Sequence, residues 1–64
     1  MCEFTVYLNG VKVMVDVVFA HDNGKDVTLK DIMGESKTFE GARIIKVNVL
    51  TTQLSIESWW NEWR

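Results

Sequence analysis

The residues able to do chemistry are few, and the foremost is Cys2, the only cysteine among 64 residues, directly preceded by Met1. A thiolate is a ligand for soft and borderline metal ions. A methionine before a small residue such as cysteine is commonly removed, and Cys2 would then offer its free amine and its thiolate in one five-membered chelate ring. With Met1 retained, its amine, the Cys2 amide nitrogen and the Cys2 thiolate form a related chelate. In either case one chain supplies two or three donors, whereas two chains meeting on a two-fold axis supply four or more, enough to close a site. Two thiolates with amine or amide nitrogens make a strong ligand field, which Ni(II) satisfies in a square plane. Zinc takes the same donors in a tetrahedron and Cu(I) takes the sulfurs, so the donor set leaves the metal open. The plain alternative is a cysteine that merely fills a small buried space.

Other candidates are weaker. His21, the only histidine, stands in a polar stretch with Asp22, and imidazole suits Ni, Cu and Zn. The expected place for it is solvent, with a second metal ligand as the alternative. Met14 and Met33 are expected to pack rather than to coordinate, and Glu3 to be a surface charge beside Cys2. A Cys2–His21 nucleophile and base pair is conceivable in principle. However, no Ser/His/Asp set or glycine-rich phosphate loop is present, so an enzyme is not expected and no catalytic residue is named.

These residues depend on strands for their placement. Cys2, Phe4, Val6 and Leu8 alternate with polar or amphipathic residues, the period that puts one set on a buried face. Asn9-Gly10 then supplies the two positive-φ positions of a type I′ hairpin turn. A two-residue loop pairs Leu8 with Val11, Val6 with Val13, Phe4 with Val15 and Cys2 with Val17, all on one face. The return strand is expected over 11–19, followed by a turn cluster over 20–25. A third strand covers 26–31 with Val27 and Leu29 inward, a turn 32–35, and a fourth strand 36–40. After Gly41, a long strand over 42–50 has Ile45, Val47 and Val49 as its expected inward set. Thr51-Thr52 breaks it, and a last strand over 53–57 turns Leu54 and Ile56 inward.

Five or six short antiparallel strands spaced about ten residues apart, with no long helical pattern, predict an all-β fold. At this length a small, SH3-like, partly open barrel is the economical form. The domain spans 1–57. The Trp-rich segment 58–64, Ser-Trp-Trp-Asn-Glu-Trp-Arg, is read as a tail packing on the barrel or on a dimer partner, since Trp is enriched at interface centres. The chain is 47% hydrophobic and 25% charged, as expected of a globular domain. A domain this small usually needs disulfides, a metal or oligomerisation, and one cysteine excludes an internal disulfide. The expected remedies are therefore a homodimer or a metal. There is no apolar run long enough for a membrane helix. The opening residues lack the pattern of a signal peptide, and a lone free cysteine suggests the cytoplasm.

The opening Met-Cys-Glu-Phe-Thr-Val-Tyr-Leu-Asn-Gly resembles the CooT family of small nickel-binding proteins. So do Val13-Met14, Asp16 to Ala20, Leu29-Lys30-Asp31, Gly34-Glu35, Glu40-Gly41-Ala42 and Val47 to Thr52. The resemblance covers about 1–57 and leaves out the Trp-rich end. It implies an SH3-like homodimer that binds Ni(II) through the cysteine after the initiator methionine, here Cys2. It also implies an accessory, metallochaperone role in supplying nickel to carbon monoxide dehydrogenase.

Two other function classes remain beside it. Small barrels bind RNA, and Tyr7, Phe39 and the tryptophans could stack bases while Lys12, Lys25, Lys30, Lys37, Arg43, Lys46 and Arg64 meet phosphate. Against this, the bases are scattered and the formal charge is −2, whereas duplex binders show a basic stripe, so a nucleic-acid partner is not expected. A pure protein-interaction module would rest on the tryptophans.

Overall fold

In the computed structural model, residues 3–58 are described, and they form six strands. These are β1 (Phe4–Leu8), β2 (Val11–Asp22), β3 (Asp26–Asp31), β4 (Ser36–Glu40), β5 (Ala42–Asn48) and β6 (Gln53–Ser58). They make one sheet in the order β4-β3-β2-β1-β6-β5. The neighbours pair antiparallel except β1 and β6, which run parallel. The all-β expectation therefore holds, with a mixed sheet in place of a wholly antiparallel one. The sheet is curled but not closed, and β4 and β5 form its edges.

The connections follow from local chemistry. Asn9 and Gly10 take φ of 52° and 87°, giving the tight turn between β1 and β2. Between β2 and β3, the Asn23 side-chain oxygen accepts the N–H groups of Lys25 and Asp26, each at 2.8 Å. Asp31 does the same after β3, accepting from Met33 at 2.9 Å and Glu35 at 3.0 Å. Such Asx contacts replace backbone partners where the chain reverses.

The first hairpin departs from the expected register. Leu8 does pair with Val11, but Val6 pairs with Met14 rather than Val13, and Phe4 with Val17 rather than Val15. Two irregularities cause this, each adding one residue to β2 relative to β1. Asp16, at φ 56°, lies in the second of them. A bulge bends its strand and increases twist, so β2 can serve two partners. Its first part pairs with β1, and Val17 to Asp22 pair with β3. This is why β2 extends to Asp22 instead of stopping at Phe19. The bend leaves Val15 exposed and Val17 buried.

β5 also corrects the expected phase. Ala42 is buried and Ile44 packs against the core, whereas Ile45, Val47 and Val49 are all more than half exposed. An irregularity between Ile44 and Lys46 breaks the alternation, and the strand ends at Asn48. Val47 stands opposite the buried Leu54, on the concave side, but nothing among the described residues covers it.

The core consists of Val6, Val17, Val27, Leu29, Ala42, Leu54 and Ile56, flanked by Phe4, Leu8, Val13, Met14, Phe39 and Ile44. The expected inward pairs on β3 and β6 are all in it. Burying each larger aliphatic side chain contributes about 1.5–3 kcal/mol. No helix among the described residues is long and apolar enough to cross a membrane.

Candidate metal site and an apolar cleft at Phe4

Met1 and Cys2, the expected metal donors, lie outside the described residues, as do the three tryptophans. The structure describes the start of β1, which follows Met1 and Cys2 in the chain. Glu3 is half-buried and precedes β1, which starts at Phe4. The start of β1 is held on both sides. Phe4 pairs with Val17 of β2, and the N–H of Thr5 donates to the carbonyl of Thr52 at 2.9 Å. The backbone two residues past Cys2 is thus part of the sheet's interior, between β2 and β6.

Phe4 also forms part of an open apolar cleft of about 270 Å³. Val17, Val18, Phe19 and Ala20 of β2 line one side, and Ile44, Val47 and Leu54 the other. Val18, Phe19 and Val47 are each about half exposed, at 44%, 50% and 54%. The Lys30 ammonium sits 5.9 Å from the Phe19 ring centre, within cation–π range. This cleft was not anticipated from the sequence. Its signal was the run Val17-Val18-Phe19-Ala20, which breaks strict alternation and so places apolar side chains on both faces of β2.

His21 does not join Phe4. It is exposed on β2, paired with Thr28 of β3 and four residues beyond Val17, the partner of Phe4. Four residues of strand are about 13 Å. Asp22, its suggested co-ligand, is engaged elsewhere: Oδ1 accepts the Gly24 N–H at 2.9 Å and Oδ2 accepts the Ile44 N–H at 3.1 Å. These two bonds, with lesser help from His21 and Arg43, hold its carboxyl below the ordinary carboxylate range. Among the described residues, no group of three or more His, Cys, Asp and Glu side chains is placed to hold a metal ion. Met14 packs against the core as expected, but Met33 is 80% exposed in a turn and packs on little. Tyr7 and Phe39 are half-buried, on β1 and β4, and the basic residues among those described are dispersed over β2 to β5 and their turns.

Compared with known families, residues 1–57 match CooT, described as CO dehydrogenase accessory protein CooT. The chain belongs to the CooT family. It is also similar to an uncharacterized protein of Methanocaldococcus jannaschii, 35% identical over 57 residues, which is 89% of this chain and 98% of that one. CooT is an accessory protein and not a catalyst, so the chemistry to be sought is binding rather than turnover. The CooT match ends at residue 57, one position before the last residue of β6, and leaves the tryptophans outside it.

Proposed function

We propose that this CooT member is a metallochaperone that captures one Ni(II) between two copies of the chain and supplies it to a nickel enzyme such as carbon monoxide dehydrogenase. The observation that carries the reading is the position of Cys2 in a CooT chain, two residues ahead of a strand start that lies beside an open apolar cleft. The donors are the Cys2 thiolate and the N-terminal nitrogens, with Met1 contributing its amine when it is retained. One chain brings too few donors to close a site, and a second copy completes the set.

The cleft supports a second copy as its occupant. Val18, Phe19 and Val47 expose apolar surface around Phe4, and an uncovered patch of this kind is a usual mark of a protein interface. Two copies joined there through a two-fold axis bring their N-termini together. Release then requires no reaction, only transfer to a client site of higher affinity. A chain terminus suits this, because termini are generally less constrained than interior strands. The reduced thiol that the mechanism needs is the form kept in the cytoplasm, which is the proposed location.

The test is a Ni(II) titration of tag-free protein and of Cys2→Ser, followed by absorbance and native mass spectrometry. The expected result is one nickel per two chains, with thiolate charge-transfer bands that vanish in Cys2→Ser. Binding that survives Cys2→Ser would shift the site to His21, and no specific binding by either protein would overturn the nickel reading.

A further inference from the structure

We propose that the first half of β2 is a docking edge for the client, an extended segment of which adds there as a further strand. β4 and β5 are the outermost strands of the sheet, yet β2 has an open edge of its own. β1 pairs with β2 from Val11 to Val17, whereas β3 pairs with it only from Val17 to Asp22. After Asp31 the chain leaves β3 for a turn, and the Ile32 N–H donates to the Asp16 carbonyl at 3.0 Å. Among the described residues, no strand pairs with Val11 to Val15 on that side. Five residues of strand are about 17 Å, long enough for a peptide to add through main-chain hydrogen bonds.

The chemistry of the edge selects its occupant. Leu8 and Val11 close a two-residue turn and bond each other, so the next residue, Lys12, points its N–H and carbonyl away from β1. Val11 and Val15 are exposed on this stretch, as are Ile32 and Met33 in the turn that closes it. Lys12 is the one charge between Val11 and Val15. A second copy is disfavoured, because antiparallel self-pairing centred on Val13 sets the two Lys12 side chains on one face as diagonal neighbours. That lysine and the two irregularities of β2 are devices that keep an edge from pairing with its own kind. An apolar segment with an Asp or Glu opposite Lys12 satisfies both the exposed valines and the charge. None of Val11 to Val15 lines the cleft at Phe4, so a client strand and a second copy do not compete for the same residues.

The docking edge rests on the client reading above but not on where nickel binds, so its test uses the metal-free full-length chain and nickel-free carbon monoxide dehydrogenase. In the chain alone, the Lys12 amide should exchange with solvent far faster than that of Val6, whose strand is paired on both sides. Adding the enzyme should slow exchange over Val11 to Val15. Lys12→Glu should weaken the complex by about tenfold or more. Lys12→Pro removes the edge donor and leaves the β1 ladder unbroken, so it should abolish the complex with an unchanged circular dichroism spectrum. A Lys12 amide already protected in the free chain would overturn the proposal, because the edge would then be covered. So would a complex whose protection lies at Phe4 and Phe19 or on β4, or one indifferent to Lys12→Glu. No complex at all, from a chain that still takes up nickel, would overturn the docking edge and the choice of client together while leaving metal capture standing.

Discussion

The Asp22 carboxylate on β2 accepts the backbone N–H of Ile44 on β5 at 3.1 Å, although β1 and β6 lie between those two strands in the sheet. The sheet must curl to allow it. A second contact at the same edge, the Gly41 N–H to the Lys25 carbonyl at 2.9 Å, ties the start of β5 to the β2–β3 turn. In place of a closed ladder, the Asp22 and Asp26 side chains and the Lys25 carbonyl hold the start of β5 against the far side of the fold.

That latch should be visible in the pH dependence of stability. The hydrogen bonds from Gly24 and Ile44 lower the Asp22 pKa in the folded state below its ordinary 3.8. A depressed carboxyl contributes stability that is complete above the unfolded pKa and lost as pH falls through the folded one. The expected thermal midpoint is therefore flat near neutrality and declines below about pH 4. Asp22→Asn should reduce that part of the decline and also lower stability at neutral pH, because the amide keeps one acceptor oxygen and turns an NH2 donor toward one of the two N–H groups. A decline of equal steepness in the variant would show that other carboxylates govern acid unfolding.

The turn at Asn9-Gly10 gives a cleaner backbone test. A Cβ on Gly10 would meet nothing within 4 Å, so Gly10→Ala suffers only from its φ of +87°. The expected cost is about 1–2 kcal/mol, or about 4–8 °C of midpoint per kcal/mol in a domain of this size. Asn9 differs, since its side-chain oxygen also accepts the Ser58 N–H at 3.2 Å. Asn9→Gly loses that bond, about 0.5–1.5 kcal/mol, while Asn9→Ala loses it and adds the left-handed strain. Urea unfolding of the three variants should rank Asn9→Ala as more damaging than Asn9→Gly.

Most of this fold is legible from strand period and turn chemistry. Val27, Leu29, Leu54 and Ile56 are buried as their alternation predicts, and Asn9-Gly10 turns where two positive-φ positions require it. The errors fall where irregularities add a residue. Asp16 adopts φ 56°, which aspartate does occasionally, but inside the apolar/polar alternation of Val13 to Val17 it reads as an ordinary outward-facing strand residue. Without that bend, Val15 would be taken as core and β2 would stop early. On β5 the two adjacent isoleucines satisfy either phase, and long-range packing of Ile44 decides it. The cleft and the Asp22 latch are both consequences of curl, a property of the whole sheet that no short stretch of sequence specifies. Cys2 itself was legible only by type, position and family likeness.

If the cleft is the dimer surface, a charge on its rim should separate the copies without unfolding the chain. Val47 is the suitable position, since it is 54% exposed and opposite Leu54. An unpaired carboxylate buried between two copies costs about 3 kcal/mol or more, which weakens dimerisation by about 100-fold. Val47→Asp should therefore sediment as a monomer at concentrations where the parent is a dimer, with an unchanged circular dichroism spectrum. Its nickel affinity should fall with dimerisation, because each chain then holds too few donors. A monomeric variant that still binds nickel tightly would show that one chain completes the site.

If Cys2 holds nickel as proposed, uptake should also depend steeply on pH. A free thiol has a pKa near 8.5 and a terminal amine near 7.7–8.0, and each must lose its proton before it can bind the metal. With two thiolates per ion, the logarithm of the apparent affinity should fall by about two for each pH unit below 8. Amine or amide nitrogens released at the same step make the slope steeper. The sign is fixed by the donors: acid competes with nickel and alkali favours it. Proton release measured in weakly buffered solution during a Ni(II) titration gives the same number independently. A release of at least two protons per nickel, lost in Cys2→Ser, is the expected outcome. A flat affinity between pH 6 and 8 would exclude thiolate ligation and point to carboxylate oxygens, which are already deprotonated across that range.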